Sequence, residues 1–110
     1  MQSVTSNAVA KALSYSTEEV FTGKYWIDGK KIYKKTYYNL NIEITNPNRW
    51  YPIMPYPSVI DTITDYITIA ITKQAFQNSL IYIQNGNLSI LSSQSWSLGT
   101  LTLEYTKTTD

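Results

Sequence analysis

Residues 81–90 read Ile81-Tyr82-Ile83-Gln84-Asn85-Gly86-Asn87-Leu88-Ser89-Ile90. Asn-Gly supplies the two positive φ angles of a type I′ turn, the connection that suits the twist of paired strands. A two-residue loop at Asn85-Gly86 places Ile83 opposite Leu88 and Ile81 opposite Ile90. Those four residues then share one apolar face, so turn chemistry and hydrophobic pattern demand the same register. A β-hairpin with one buried face is therefore expected here, and it needs a sheet to pack on.

The same period of two recurs outward from this hairpin. In Tyr38–Thr45, residues Tyr38, Leu40, Ile42 and Ile44 alternate with Asn39, Asn41, Glu43 and Thr45. In Tyr66–Thr72, Ile67, Ile69 and Ile71 oppose Tyr66, Thr68, Ala70 and Thr72. In Thr100–Thr106, Leu101, Leu103 and Tyr105 oppose the threonines and Glu104. Alternating Ile, Leu, Tyr and Thr predicts strands with one buried and one wet face, the signature of antiparallel sheets. Asp28-Gly29 predicts a second two-residue hairpin, pairing Tyr25 with Ile32 and Trp26 with Lys31. An unbroken strand from Lys30 to Thr45 would be overlong, so a bulge or bend is expected near Lys34–Thr36. All four prolines fall within Asn46–Ser58, which predicts a loop or an irregular edge. Thr72–Ser79 and Ser92–Ser97 read as further loops.

The N-terminus has a different period. Thr5 or Ser6 can cap a helix over Asn7–Leu13, with Val9 and Leu13 on one face. Two turns are too few to stand alone, so this helix must dock on the domain or on copies of itself. The expected organisation is a helix over 1–14, the end of a stalk, and a head over 15–110. The expected fold is an all-β, antiparallel β-sandwich or jelly-roll-like domain with a short N-terminal helix, assembled as a trimer.

Composition narrows the function. The 110 residues are 43% hydrophobic but only 15% charged, with a net charge of +1. No strong field steers such a chain to nucleic acid, and no apolar run reaches the ~18 residues of a membrane span. With no Cys and no His, disulfides, thiolate chemistry and Ser-His arrangements are excluded. The four glycines form no phosphate-binding fingerprint. A glycosidase needs only two carboxylates, yet Glu43 and Glu104 fall on expected wet faces and Asp28 in a turn. Glu18-Glu19 can cap a turn. Asp61 and Asp65 lack the spaced pattern of a calcium loop. Neither a cofactor nor a metal is expected. Lys30, Lys31, Lys34 and Lys35 read as the charges of a protected edge strand, with Trp26 over a lysine stem.

Ten tyrosines and three tryptophans suit sugar stacking and interfaces alike. The candidates for ligand contact are Arg49, Trp50, Tyr51 and Tyr56 in the proline-rich segment, and Trp96 in the Ser-rich loop. Val9 and Leu13 are the candidates for an oligomer interface.

Several segments taken together are similar to a known family. VTSNAVAKAL (Val4–Leu13) runs into YSTEEVFTGKYWIDGKKIYKK (Tyr15–Lys35), and the chain closes on LTLEYTKTTD (Leu101–Asp110). With Trp50–Ser58 and the Asn85–Ile90 hairpin, these resemble the C-terminal head domain of phage and prophage tail-fibre or receptor-binding proteins. The resemblance implies a homotrimeric virion appendage, exposed outside the cell on the particle, with a shaft upstream of Met1 and a natural end at Asp110. It implies partners in the form of further copies of the chain and a host-surface polysaccharide or protein. A fibre cap that only trimerises is the alternative, and a glycan-degrading enzyme a more distant one. The family assigns no ligand site to particular residues here. The Ile60–Asn78 stretch is least similar, which makes it the expected place for variable binding determinants.

Overall fold

The structure is a computed structural model and describes residues 17–76 and 79–109. The expected helix over 1–14, with Val9 and Leu13, lies outside the described residues. Nine strands follow in the described part: β1 (Val20–Tyr25), β2 (Lys31–Tyr37), β3 (Ile42–Ile44), β4 (Trp50–Pro55), β5 (Ile60–Ala70), β6 (Ala75–Phe76), β7 (Ser79–Gln84), β8 (Asn87–Ser92) and β9 (Trp96–Lys107). Their pairings are all antiparallel. The larger sheet runs β1-β2-β9-β5-β6, with β3 also paired to β9, and the smaller runs β4-β8-β7. The protein is thus all-β and sandwich-like, and both sheets contribute to one core.

The β7–β8 hairpin has the register its turn demands. Ile83 faces Leu88 and Ile81 faces Ile90, with φ of 53° at Asn85 and 78° at Gly86. Leu88, Ile90 and Ile81 are buried, but Ile83 is 43% exposed, so the expected burial of all four fails at the turn end. The final strand also packs as its alternation predicts, with Leu101 and Leu103 at 0% exposure and Tyr105 buried beside them.

Its other face departs from expectation. Thr102 and Thr106 are buried too, because β9 is the central strand, flanked by β2, β3 and β5. Thr36 and Thr102 satisfy each other there through an Oγ1–Oγ1 hydrogen bond of 2.8 Å. One wet face per strand therefore fails at the middle of the larger sheet.

Strand β5 inverts the expected burial. Register places Tyr66 beside Leu103 and Thr68 beside Leu101, so the Tyr66, Thr68, Ala70 face turns inward. Thr68 is only 2% exposed, whereas Ile67 and Ile71 are exposed. Thr68 is tolerated inside because Ser79 meets it across the core, Oγ to Oγ1 at 3.0 Å. The Tyr66 hydroxyl likewise donates to the Ser79 carbonyl at 3.0 Å.

Two turns also differ. The Trp26–Lys30 hairpin has a three-residue loop: Trp26 N–H donates to the Lys30 carbonyl at 2.8 Å and Gly29 N–H to the Trp26 carbonyl at 2.9 Å. Of Asp28 and Gly29 only the glycine is left-handed, so Tyr25 pairs with Lys31 rather than Ile32. The expected bend near Lys34–Thr36 falls later. Thr36 and Tyr37 stay paired to β9, and the chain turns at Asn39 and Asn41, with φ of 56° and 52°. Asparagine tolerates that region better than other side-chain-bearing residues.

The proline segment is an irregular edge, as expected. Strand β4 carries Pro52 and Pro55 and shifts register between Pro52 and Met54. The Ser92–Ser97 loop is shorter than expected because β9 already begins at Trp96, and Thr72–Ser79 contains β6 and the first residue of β7.

Candidate functional site

The five candidate ligand residues do not converge. Trp50 and Tyr51 are consecutive in β4, and consecutive strand residues point to opposite faces. Trp50 pairs with Leu91 on the outer face of the small sheet, and Tyr51 with the buried Ile90. The Tyr51 ring packs against the core. Its hydroxyl accepts the Asn46 N–H at 2.8 Å and bonds Thr45 Oγ1 at 3.1 Å, pinning the turn before β4. Tyr56 is also packed against the core, and burial, helped by the charge of Asp61, raises its phenol above the usual range. Arg49 is exposed just before β4. Trp96 lies in β9, opposite Ile44, and its indole N–H donates to Ser92 Oγ at 2.8 Å.

The lysines Lys30, Lys31, Lys34 and Lys35 do not guard an edge, because β2 lies between β1 and β9. Lys30 pairs with Asp61 at 2.9 Å. Lys31 lies over the Phe21 ring and Lys35 over the Tyr37 ring. Lys24 pairs with Glu104 at 2.8 Å, and the Asp65 carboxylate accepts the Tyr66 N–H. Among the described residues no group of three His, Cys, Asp or Glu is placed to hold a metal ion.

Glu19 is not a turn cap. It accepts the Tyr105 hydroxyl proton and a 2.9 Å bond from Lys107 Nζ, and Lys107 also lies over the Tyr33 ring. Burial pushes the Glu19 carboxyl up. The hydrogen bonds from Tyr105 and Lys107, with the charges of Lys107 and Lys35, outweigh it and hold the group below its ordinary value. Burial and then the Glu19 carboxylate raise the Tyr105 phenol well above its ordinary value. This cluster latches the entry of β1 onto the end of β9, and its groups satisfy one another.

A concave feature lies toward the other end of β9. Strand β9 slips register between Leu98 and Thr100, opposite Ala70 and Ile69. An isolated glycine in a strand marks such a bulge or a close backbone approach, and Gly99 shows both. A Cβ on Gly99 would lie 3.1 Å from Ile71 Cα, 3.2 Å from Ile71 N and 3.3 Å from Ile71 Cγ1. Gly99 also lines a groove of about 510 Å³, together with Ile69, Ala70, Ile71 and Thr100 and with Tyr38, Asn39, Asn41 and Lys73. Its two rims are local devices. Leu40 N–H donates to the Gly99 carbonyl at 3.0 Å, holding the two asparagines over β9. Across the groove Ala70 N–H donates to Gln74, Lys73 N–H to Ala70 and Ile71 N–H to Ser97. That tight turn holds Lys73 at φ 68°.

Three side-chain-bearing residues with left-handed backbone thus ring one groove, each at a cost of about 1–2 kcal/mol at most. A second cavity of about 380 Å³ adjoins it, sharing Ala70 and Ile71 and lined further by Thr72, Gln74, Trp96 and Ser97. Trp96 is the one sequence-predicted ligand residue that borders this region. Tyr38, Asn39, Asn41, Lys73 and Gly99 were not among the expected residues. Their signal in the sequence is the Asn-Leu-Asn triplet and a glycine inside an alternating strand.

Compared with known proteins, the chain matches no family model, no curated protein and no solved structure.

Proposed function

We propose that this chain is the trimeric C-terminal head of a phage tail fibre or related virion appendage, and that it recognises a host-surface saccharide through the groove over Gly99. The observation that carries recognition is the groove itself. An aromatic ring (Tyr38, 44% exposed), two amides, a hydroxyl and an ammonium surround an apolar floor. Sugars present apolar ring faces and rows of hydroxyls, and sites that hold them pair aromatic surface with a few placed polar groups. The groove also draws Ile69, Ala70, Ile71 and Lys73 from Ile60–Asn78, where the chain departs most from the tail-fibre heads it resembles. Low charge and a Ser/Thr/Asn-rich surface suit a domain carried on a particle.

The test is adsorption of the purified, labelled chain to a glycan array and to candidate host cells. Tyr38→Ala and Asn41→Ala are expected to abolish binding, while Trp50→Ala, on the outer face of the small sheet, leaves it intact. Equal binding by all four proteins would exclude the groove. Absence of any binding by the parent chain would remove recognition altogether.

A second reading, a cap that only assembles the fibre, is favoured by strand β7. Its sequence Ser79–Gln84 holds neither charge nor proline, and Leu80 and Tyr82 are 56% and 64% exposed. Edge strands normally carry such protection. Under this reading Leu80→Lys disrupts oligomers seen by light scattering, and groove substitutions leave adsorption unchanged.

A further inference from the structure

We infer that the saccharide held over Gly99 is acidic, with its carboxylate against Lys73. This rests on the recognition reading above and adds the ligand's chemical class. The groove's lining contains one charged residue, Lys73, and no carboxylate. Most other lysines on the described surface are engaged: Lys24, Lys30 and Lys107 in ion pairs, Lys31 and Lys35 on aromatic rings.

Lys73 is instead placed on a tight turn in the left-handed region, where glycine or asparagine would cost less. The turn needs the backbone conformation and not a long cationic side chain. The ammonium at this position is exposed and lines the groove beside it.

The neighbouring groups complete the fit. Tyr38 brings an aromatic side chain to the lining, and Asn39 and Asn41 bring amides that both donate and accept toward sugar hydroxyls. The adjoining cavity beyond Ile71 carries Trp96, Thr72, Gln74 and Ser97 and no charge. An oligosaccharide crossing the Ile71 ridge would set its acidic residue on the Lys73 side and a neutral residue on the Trp96 side. Each cavity is of a size that takes a small-molecule unit.

The experiment uses the whole 110-residue chain and a panel of uronate- and sialate-bearing oligosaccharides, each beside its carboxyl-reduced, uncharged counterpart. Acidic members are expected to bind about 10-fold or more tightly than their reduced partners, as a charge-assisted hydrogen bond predicts. Lys73→Gln should erase that preference while leaving the melting temperature unchanged. Lys73→Arg should keep the preference. The preference should also shrink as salt rises. Equal affinity for acidic and reduced members, or a preference that survives Lys73→Gln, overturns the inference and leaves sugar recognition standing. If no member binds, acidic or neutral, both fail together.

Discussion

Replacing Gly99 with alanine sets two opposed effects against each other. Gly99 does not have a positive φ, so alanine can adopt its backbone. On that ground alone, the substitution would stabilise the protein by about 0.4–1 kcal/mol through the unfolded chain's lost freedom. Against this stands the new methyl, 3.1 Å from Ile71 Cα and 3.2 Å from Ile71 N, inside the ordinary carbon contact distance of about 3.5–4.0 Å. Two of its three nearest atoms are backbone. Ile71 cannot retreat freely, because its N–H donates to the Ser97 carbonyl at 2.9 Å. Overpacking of this kind costs about 1–3 kcal/mol, so the net expectation is a loss of about 1–2 kcal/mol. For a domain of this size that is a fall in melting temperature of about 4–10 °C. Thermal and urea unfolding followed by circular dichroism reads it directly. Adding Ile71→Ala removes the Cγ1 contact at 3.3 Å and should restore only part of the loss, since the backbone contacts remain. A Gly99→Ala protein as stable as the parent, or more stable, would show that the close approach of Ile71 to β9 is not what requires glycine.

Further outcomes follow from the core, the buried threonines and the Glu19 latch. Leu103→Ala removes a side chain with no exposure and should cost about 2–5 kcal/mol in urea unfolding. Thr102→Val strands the Thr36 hydroxyl that it meets at 2.8 Å, at a cost of about 1–3 kcal/mol. Thr36→Val with Thr102→Val should recover most of that, giving a coupling readable in a double-mutant cycle. Glu19 has a depressed carboxyl in the folded protein, so the unfolded chain binds its proton more readily. Its stabilising effect is full above the unfolded value of about 4.3 and is lost as pH falls through the lower folded value. Urea midpoints of Glu19→Gln should therefore differ from the parent near neutral pH and converge with it in acid. A constant difference across that range would exclude the linkage.

Much of the architecture was legible in the residues. The Asn85-Gly86 turn dictates its own dihedral angles, and alternation on either side dictates the register, because both constraints are local. The inward face of β9 was legible for the same reason, since Leu101, Leu103 and Tyr105 share a period of two. The Asp28-Gly29 turn was half legible: glycine marked the left-handed residue, but nothing nearby selected a three-residue loop over a two-residue one.

What only the tertiary structure decided is which face of a strand has a neighbour. Ile67 and Ile69 in β5, with Ile71 just beyond it, make the more hydrophobic face, yet pairing with β9 turns Thr68 inward to a partner hydroxyl on Ser79. Thr102 is buried because its strand is central, a property of sheet order rather than of composition. The groove arises in the same way. Asn39 and Asn41 come from the β2–β3 connection, Lys73 from the turn after β5, and Gly99 from β9, so no window along the chain contains it. Sequence alone determined the long strands around Tyr66–Ala70 and Thr100–Thr106 and where one hairpin closes, because backbone sterics and side-chain alternation act between near neighbours; it did not determine β4 or β6, nor that only Ile42–Ile44 of Tyr38–Thr45 is a strand. The site waited for the fold, because a concave surface belongs to elements that meet only when the sheets assemble.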